Sequence, residues 1–323
     1  MSEDALVDRL DDVIDAMLKG GDATAALNDQ ELAPLARLAA DVRHYRHHPS
    51  PDFKARLRAS LETEANASAA IATAKIREGF STITPYLRVR EPVVFEFLTR
   101  VFGAVETSHA SAGGGSVHRE VRLGNSMIMI GEGGPQGVVP FRPAELHVYV
   151  EDVDAAFQRA LAAGATSLGE PADRPYGERA GFVKDAAGNH WFIATHLGGS
   201  YVPEGLRTVT PFLHAEGAGQ YIEFLKQAFG AVDERQQKTP DGRVVYARLR
   251  IGNAALELGE AAGSATSMPG AFYLYVGDAD ALYERALAAG ARSLSPPTDQ
   301  RYGDRVAVVE DAIGNQWFIA RPI

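Results

Sequence analysis

The sequence predicts an α+β protein, and three observations carry that prediction. An internal repeat runs at an offset near 126 residues, strand-type and helix-type periodicity alternate inside each copy, and the patterning before residue 80 is purely helical. ITPYLRVREPVVFEFLTRVFGAVE from Ile83 returns as VTPFLHAEGAGQYIEFLKQAFGAVD from Val209, and VYVEDVDAAFQRALAAGATSL from Val148 returns as LYVGDADALYERALAAGARSL from Leu274. RPYGERAGFVKDAAGNHWFIA from Arg174 comes back as QRYGDRVAVVEDAIGNQWFIA from Gln300. Two copies are too few for a solenoid, which needs about three repeats to bury a continuous core, so paired globular domains are expected.

In chain order, Leu6, Leu10, Ile14 and Met17 form one helical stripe and Leu32, Leu35 and Leu38 a second. Ser50-Pro51-Asp52 opens a third, DFKARLRASLE, with a capping serine ahead of a first-turn proline. These helices define a small all-α segment at 1–64, mostly acidic through Glu31 and basic from Arg37 to Arg58. Residues 65–79 read as a linker or a weak helix, and the repeats as domains at 80–197 and 206–323. Within the first repeat TPYLRV is a strand, and PVVFEFLTRVFGA sets Val94, Phe97, Leu98 and Val101 at helical spacing before the stop at Gly103. SVHREVRLG and SMIMIG are strands joined by the hairpin dipeptide Gly124-Asn125. ELHVYV is a strand, DVDAAFQRALAAG a helix ending at Gly164, and GFVKDAAGNHWFIA two strands around Gly188-Asn189. Each repeat therefore reads β-α-β-β twice, giving four modules.

Composition removes several function classes. A net charge of -10 argues against a nucleic-acid surface, and the absence of cysteine eliminates disulfides, thiolate nucleophiles and Cys-based zinc sites. No run approaches the 18 or so apolar residues of a membrane span and the start MSEDALVDRLDD is not a secretory signal, so a soluble, cytoplasmic protein with no membrane partner is expected. Phosphate loops, a nucleophile elbow and HExxH are missing, and Gly113 to Gly115 lie in a hairpin loop, not between a strand and a helix.

The paired module order, the TPYL start, the FGA helix exit, VEDVDA with ALAAGA, and YGER with DAAGNHWFIATH together resemble the glyoxalase/bleomycin-resistance/dioxygenase superfamily, also called vicinal oxygen chelate, and within it the PhnB-like branch. The resemblance covers both repeats and not the N-terminal helices. It implies tandem βαβββ modules, paired within each repeat into a U-shaped cup, with the two glyoxalase-like domains packed as an internal pseudo-dimer. Many members bind a divalent ion there through His, Glu or Gln at the start of each module's first strand and Glu after the final Gly-Asn turn. Here those positions fall on Thr84, Glu145 and Phe192 and on Thr210, Ala271 and Phe318, so the usual metal site is expected to be absent and no cofactor is predicted.

A displaced site in the first cup remains an alternative. Residues two apart on a strand share a face, so Glu145, His147 and Tyr149 should point inward with His190 and Phe192, joined by His118. In the second repeat the four donors become Tyr246, Ala271, Tyr273 and Gln316, so a divalent metal would belong to the first domain alone. Tyr86, Tyr149 and Phe192, then Phe212, Tyr273, Tyr275 and Phe318, would line the cups with aromatic walls suited to a planar or amphipathic organic molecule, unless the rings simply fill them. Trp191 and Trp317 should face the helices. Arg179 and Arg305 either close over an anionic ligand or pair with a nearby carboxylate; Asp152, Asp154, Asp278 and Asp280 fit helix N-termini. The preferred reading is a metal-free small-molecule-binding protein. One alternative is a metal-dependent lyase or dioxygenase, and another a scaffold that recruits a protein partner through its N-terminal helices.

Overall fold

The computed structural model describes residues 71, 74–90, 92–113, 115–133, 141–263 and 266–323. The three helices expected before residue 65 lie outside the described residues. Module 1 comprises β1 (Ile83–Val89), α1 (Val93–Phe102), β2 (Val105–Gly113), β3 (Ser116–Leu123) and β4 (Ser126–Glu132). Module 2 comprises β5 (Glu145–Tyr149), α2 (Val153–Ala162), β6 (Thr166–Arg174), β7 (Glu178–Lys184) and β8 (His190–His196). Module 3 runs β9 (Val209–Ala215), α3 (Ala218–Phe229), β10 (Val232–Lys238), β11 (Val244–Ile251) and β12 (Ala254–Glu260). Module 4 runs β13 (Ala271–Tyr275), α4 (Ala279–Ala288), β14 (Arg292–Asp299), β15 (Asp304–Glu310) and β16 (Gln316–Pro322). Each module is thus βαβββ. The extra strands β2, β6, β10 and β14 lie at the sheet edges, and polar, largely exposed segments such as VDERQQK carry no apolar alternation by which a pattern reading would find them.

The helices form as their stripes require. Val94, Phe97, Leu98 and Val101 are the buried face of α1, and Gly103 closes the helix at φ 71°, a left-handed conformation that glycine adopts without penalty. Asp152 and Asp278 each accept a backbone hydrogen bond from the residue three positions on, capping α2 and α4. Among the described residues no helix is long and apolar enough to cross a membrane.

Sheet topology corrects one expectation. The two eight-stranded sheets run β14-β15-β16-β13-β1-β4-β3-β2 and β10-β11-β12-β9-β5-β8-β7-β6, so module 1 joins module 4, and module 2 joins module 3. The cups are therefore shared between the repeats, not contained within them. β1 pairs antiparallel with β13 (Thr84 opposite Tyr273), and β5 with β9 (His147 opposite Thr210), so each module's otherwise unpaired edge is covered by a strand of the other repeat. The helix-side cores stay with their repeats: one cluster holds α1 and α2 with Trp191, the other α3 and α4 with Trp317. The two Gly-Asn hairpin turns also lock the sheets together. Asn125 accepts from the Thr208 N–H at 2.9 Å and Asn253 from the Thr82 N–H at 2.8 Å, across the two sheets. A β-carbon at Gly124 or Gly252 would fall 2.2 or 2.3 Å from the threonine hydroxyl.

The repeated D-x-x-G-N motif is structural. Asp185 accepts from the Asn189 side chain and from the Trp191 indole, and Asp311 does the same for Asn315 and Trp317 while also receiving the Tyr221 hydroxyl. Both tryptophans are fully buried and face the helices.

Candidate functional site

Cup II, formed by modules 2 and 3, holds a buried polar network. Alternation along the central strands brings Glu145, His147 and Tyr149 of β5, His190 and Phe192 of β8, Thr210, Phe212 and His214 of β9, and Glu257 of β12 to one face. His147 lies between two carboxylates: its Nδ1 is 3.0 Å from Glu257 and its Nε2 3.4 Å from Glu178 of β7. Tyr149 donates to Glu178 at 2.9 Å and stacks on His147 at 4.3 Å, while Tyr246 donates to Glu257 at 2.6 Å. Burial opposes charge on His147, but the Coulomb field of Glu257 and its bonds to both glutamates outweigh that and push the ring up to about 9, so it is an imidazolium at neutral pH. Burial likewise works against the charge on Glu178, yet the His147 contact holds its carboxyl below the usual range. Burial and the neighbouring glutamates drive the Tyr149 and Tyr246 hydroxyls upward, so both stay neutral donors.

A second group sits beside it. Glu145 is buried and its two oxygens meet His190 Nδ1 at 3.2 Å and His214 Nδ1 at 2.9 Å, contacts that hold it ionised against the cost of burial. Phe192 bridges the sheet, 5.2 Å from Phe212 and 4.9 Å from Phe182, and all three rings are only half-buried, as is His190. Tyr201, Val202 and Leu206 from the inter-repeat connection pack, with Phe182, on Tyr149, Ala180 and Ala194. The partly accessible side chains of cup II are therefore aromatic faces and the His190 imidazole.

Cup I, formed by modules 1 and 4, is aromatic. Tyr86 of β1 packs edge-on against Phe318 at 5.3 Å, Tyr273 at 6.2 Å and His118 at 5.7 Å, and Tyr273 stacks on Phe318 with 6° between the rings. Tyr275, Met127 and Met129 continue this surface, and Ile76 and Phe80 pack onto it from the segment before β1. Arg77 of that segment makes two bonds of 2.5 and 2.8 Å to Glu120, whose pKa falls to about 2 because the bonds from His118 and Arg77 outweigh its burial. The end of the expected linker is thus a packed part of cup I.

The predicted residues divide accordingly. Glu145, His147, Tyr149, His190, Phe192, Phe212 and Tyr246 meet in cup II; Tyr86, His118, Tyr273, Tyr275 and Phe318 meet in cup I. His118 does not join the other histidines, because its strand lies in the other sheet. Arg179 and Arg305 lie on the opposite face of their strands. Arg179 holds Asp154 and Asp173, Arg305 holds Asp280 and Asp299, and neither enters a cup. Glu178, His214 and Glu257 are additions the motif reading missed. Glu257, a charged residue inside the apolar run AALELG, carried a usable signal, since a carboxylate at a core position needs buried partners.

The donors do not suit a metal. Glu178 and Glu257 engage opposite nitrogens of the His147 ring, so these three cannot converge on one ion, and Glu145 spends both oxygens on histidines. Among the described residues no group of three or more His, Asp or Glu is arranged to hold one.

Two eight-stranded sheets, each built from two βαβββ modules, define a glyoxalase-like fold. The chain belongs to the Glyoxalase/Bleomycin resistance protein/Dioxygenase superfamily, whose model matches residues 94–193 and 217–319. It is 25% identical over 239 residues to a Mycobacterium tuberculosis protein named "Putative glyoxylase CFP32", an alignment covering 70% of this chain and 88% of that one. It is also 34% identical over 126 residues to an uncharacterized protein of Mycobacterium bovis, covering 36% of this chain and 83% of the relative. The crystal structure of glyoxalase I from Zea mays shares the fold, with a TM-score of 0.56 at 15% identity over 74% of this chain and 92% of that one.

Proposed function

We propose that the protein binds a small planar or amphipathic organic molecule in cup II without a metal ion. The observation that carries this reading is the half-buried Phe182, Phe192 and Phe212 surface set beside a His147 whose ring nitrogens are both taken by glutamates. Flat rings supply stacking area, and the half-buried His190 beside them supplies a polar edge that fixes orientation. Glu145, Glu178 and Glu257 are buried and engaged by histidines and tyrosines of the network, so the polar contact offered to a ligand is that of the half-buried His190. The motifs quoted above support placing the chain in the PhnB-like branch, with repeat boundaries at 80–197 and 206–323, and its acidic, cysteine-free composition supports a cytoplasmic protein.

The test is a thermal-shift and calorimetric screen of planar hydrogen-bond-donating compounds on protein purified without chelator, with elemental analysis of the same sample. A ligand at 100 times its Kd should stabilise the protein by about 2.7 kcal/mol. Phe192→Ala and Phe212→Ala should each weaken binding roughly tenfold, the loss of one aromatic contact. Stoichiometric transition metal, or a screen in which no such compound binds, would overturn the reading.

A further inference from the structure

Arg88 of β1 lies on the cup I face with its guanidinium carbon 5.3 Å from the Tyr86 ring centroid and 5.8 Å from that of Phe318. It is half-buried, and among the described residues no carboxylate lies within ion-pair distance of it. Arg142, whose backbone pairs with its own, spends its guanidinium on Glu310 and the Gly314 carbonyl. Burial lowers the Arg88 pKa, with only Tyr86 opposing and Arg142 adding to the effect.

The repeat says what is missing. The residue equivalent to Arg88 in cup II is His214, whose Nδ1 meets a Glu145 oxygen at 2.9 Å. The cup I residue equivalent to Glu145 is Ala271, on a strand two places from Tyr273, and it is fully buried. Cup I thus carries a guanidinium at the head of its aromatic surface and lacks the carboxylate that meets the equivalent side chain in cup II.

We propose that cup I is a second binding site, selective for a small aromatic carboxylate whose anionic group pairs with Arg88 while its ring lies against the accessible parts of Tyr86, His118 and Phe318. A planar guanidinium suits a carboxylate because two parallel N–H bonds reach both oxygens. The aromatic faces around it are partly accessible at Tyr86, Phe318 and His118. The two cups then differ in charge pairing: the carboxylates of cup II are matched internally, whereas cup I holds a guanidinium with no internal carboxylate.

The test titrates the full chain by calorimetry with benzoate and 2-naphthoate and with their neutral amides. At least one carboxylate should bind saturably, and its amide at least about tenfold more weakly, as a charge-assisted pair requires. Arg88→Met should weaken carboxylate binding by about tenfold or more while Arg88→Lys retains part of it. Arg88→Met should also melt no lower than the wild type, because it removes a partly desolvated charge without an internal partner. Phe192→Ala, in cup II, should leave carboxylate binding unchanged. Binding of neither carboxylate, equal binding of acid and amide, unaltered binding by Arg88→Met, or a clear drop in its melting temperature would each overturn the proposal. If Phe192→Ala removes carboxylate binding and Arg88→Met does not, the acid sits in cup II and the cup I site fails while the cup II reading stands.

Discussion

The two cups share a backbone and differ in what fills it. At equivalent positions His147 faces Tyr273, Glu145 faces Ala271, Glu257 faces Met129, Glu178 faces Asp304 and His190 faces Gln316, whereas Phe192 and Phe318 are retained. Cup II is consequently a network of ion pairs with aromatic flanks, and cup I an aromatic and methionine surface with its charges at the margins. One duplicated fold therefore carries two chemistries. The residues that hold strands and helices in place are largely shared, and most of the divergence falls on side chains that project into the cups, where backbone geometry imposes no choice.

The largest effect should come from giving cup II the cup I residue. His147→Tyr would leave Glu178 and Glu257 buried without the cation between them, and should cost about 3–5 kcal/mol in denaturant unfolding at pH 7. The reverse change in cup I, Tyr273→His, introduces no such unpaired charge and should cost clearly less. Equal losses would mean that the network in cup II contributes nothing beyond packing.

Next in size is the pH dependence. The His147 pKa is raised to about 9 in the folded protein, above an unfolded value of about 6.5, so its contribution is complete below pH 6.5 and is lost as pH rises through 9. Stability should fall by roughly 2–3 kcal/mol between pH 6.5 and 9.5, a figure reduced from the full shift because the group is strongly coupled to two carboxylates. Glu145 and Glu178 run the other way: held below the ordinary range, they contribute above it and lose that contribution on acidification. Chemical denaturation across pH would check both limbs, and a flat profile above pH 6.5 would sink the assignment of a cationic His147.

The smallest effects concern two equivalent glycines. A β-carbon at Gly259 would lie 2.7 Å from the Val245 carbonyl, which must shift with its strand, whereas at Gly131 it meets the mobile end of Tyr86 at 2.8 Å. Gly259→Ala should therefore cost about 1–3 kcal/mol and Gly131→Ala less, since only a side-chain tip has to move there. Thermal unfolding of the two variants compares them directly, and Gly131→Ala should also disturb the cup I aromatic surface.

Much of this was legible in the residues. The stripe on α1, the aspartate caps and the inward alternation of β5 and β8 follow from periods of 3.6 and 2.0 that local sequence expresses directly. The edge strands were not, because they are largely polar and exposed and show no apolar alternation. Nor were the partners of His147. Glu178 and Glu257 lie 31 and 110 residues away along the chain, on strands whose neighbours depend on how the modules pair.

By itself the sequence determined the duplication, the β-α-β-β order and the inward-facing sets of residues, which follow from spacing and residue type; the fourth strand of each module and the family's metal-ligand positions entered only through the resemblance. Only the tertiary structure decided which sets face one another. Modules within a repeat share a hydrophobic core through their helices, yet their sheet edges pair with the other repeat, so each cup takes half its wall from each copy. Edge pairing is set by which backbone hydrogen bonds remain open once the cores have formed, and that property belongs to the assembled fold, not to any local stretch of chain.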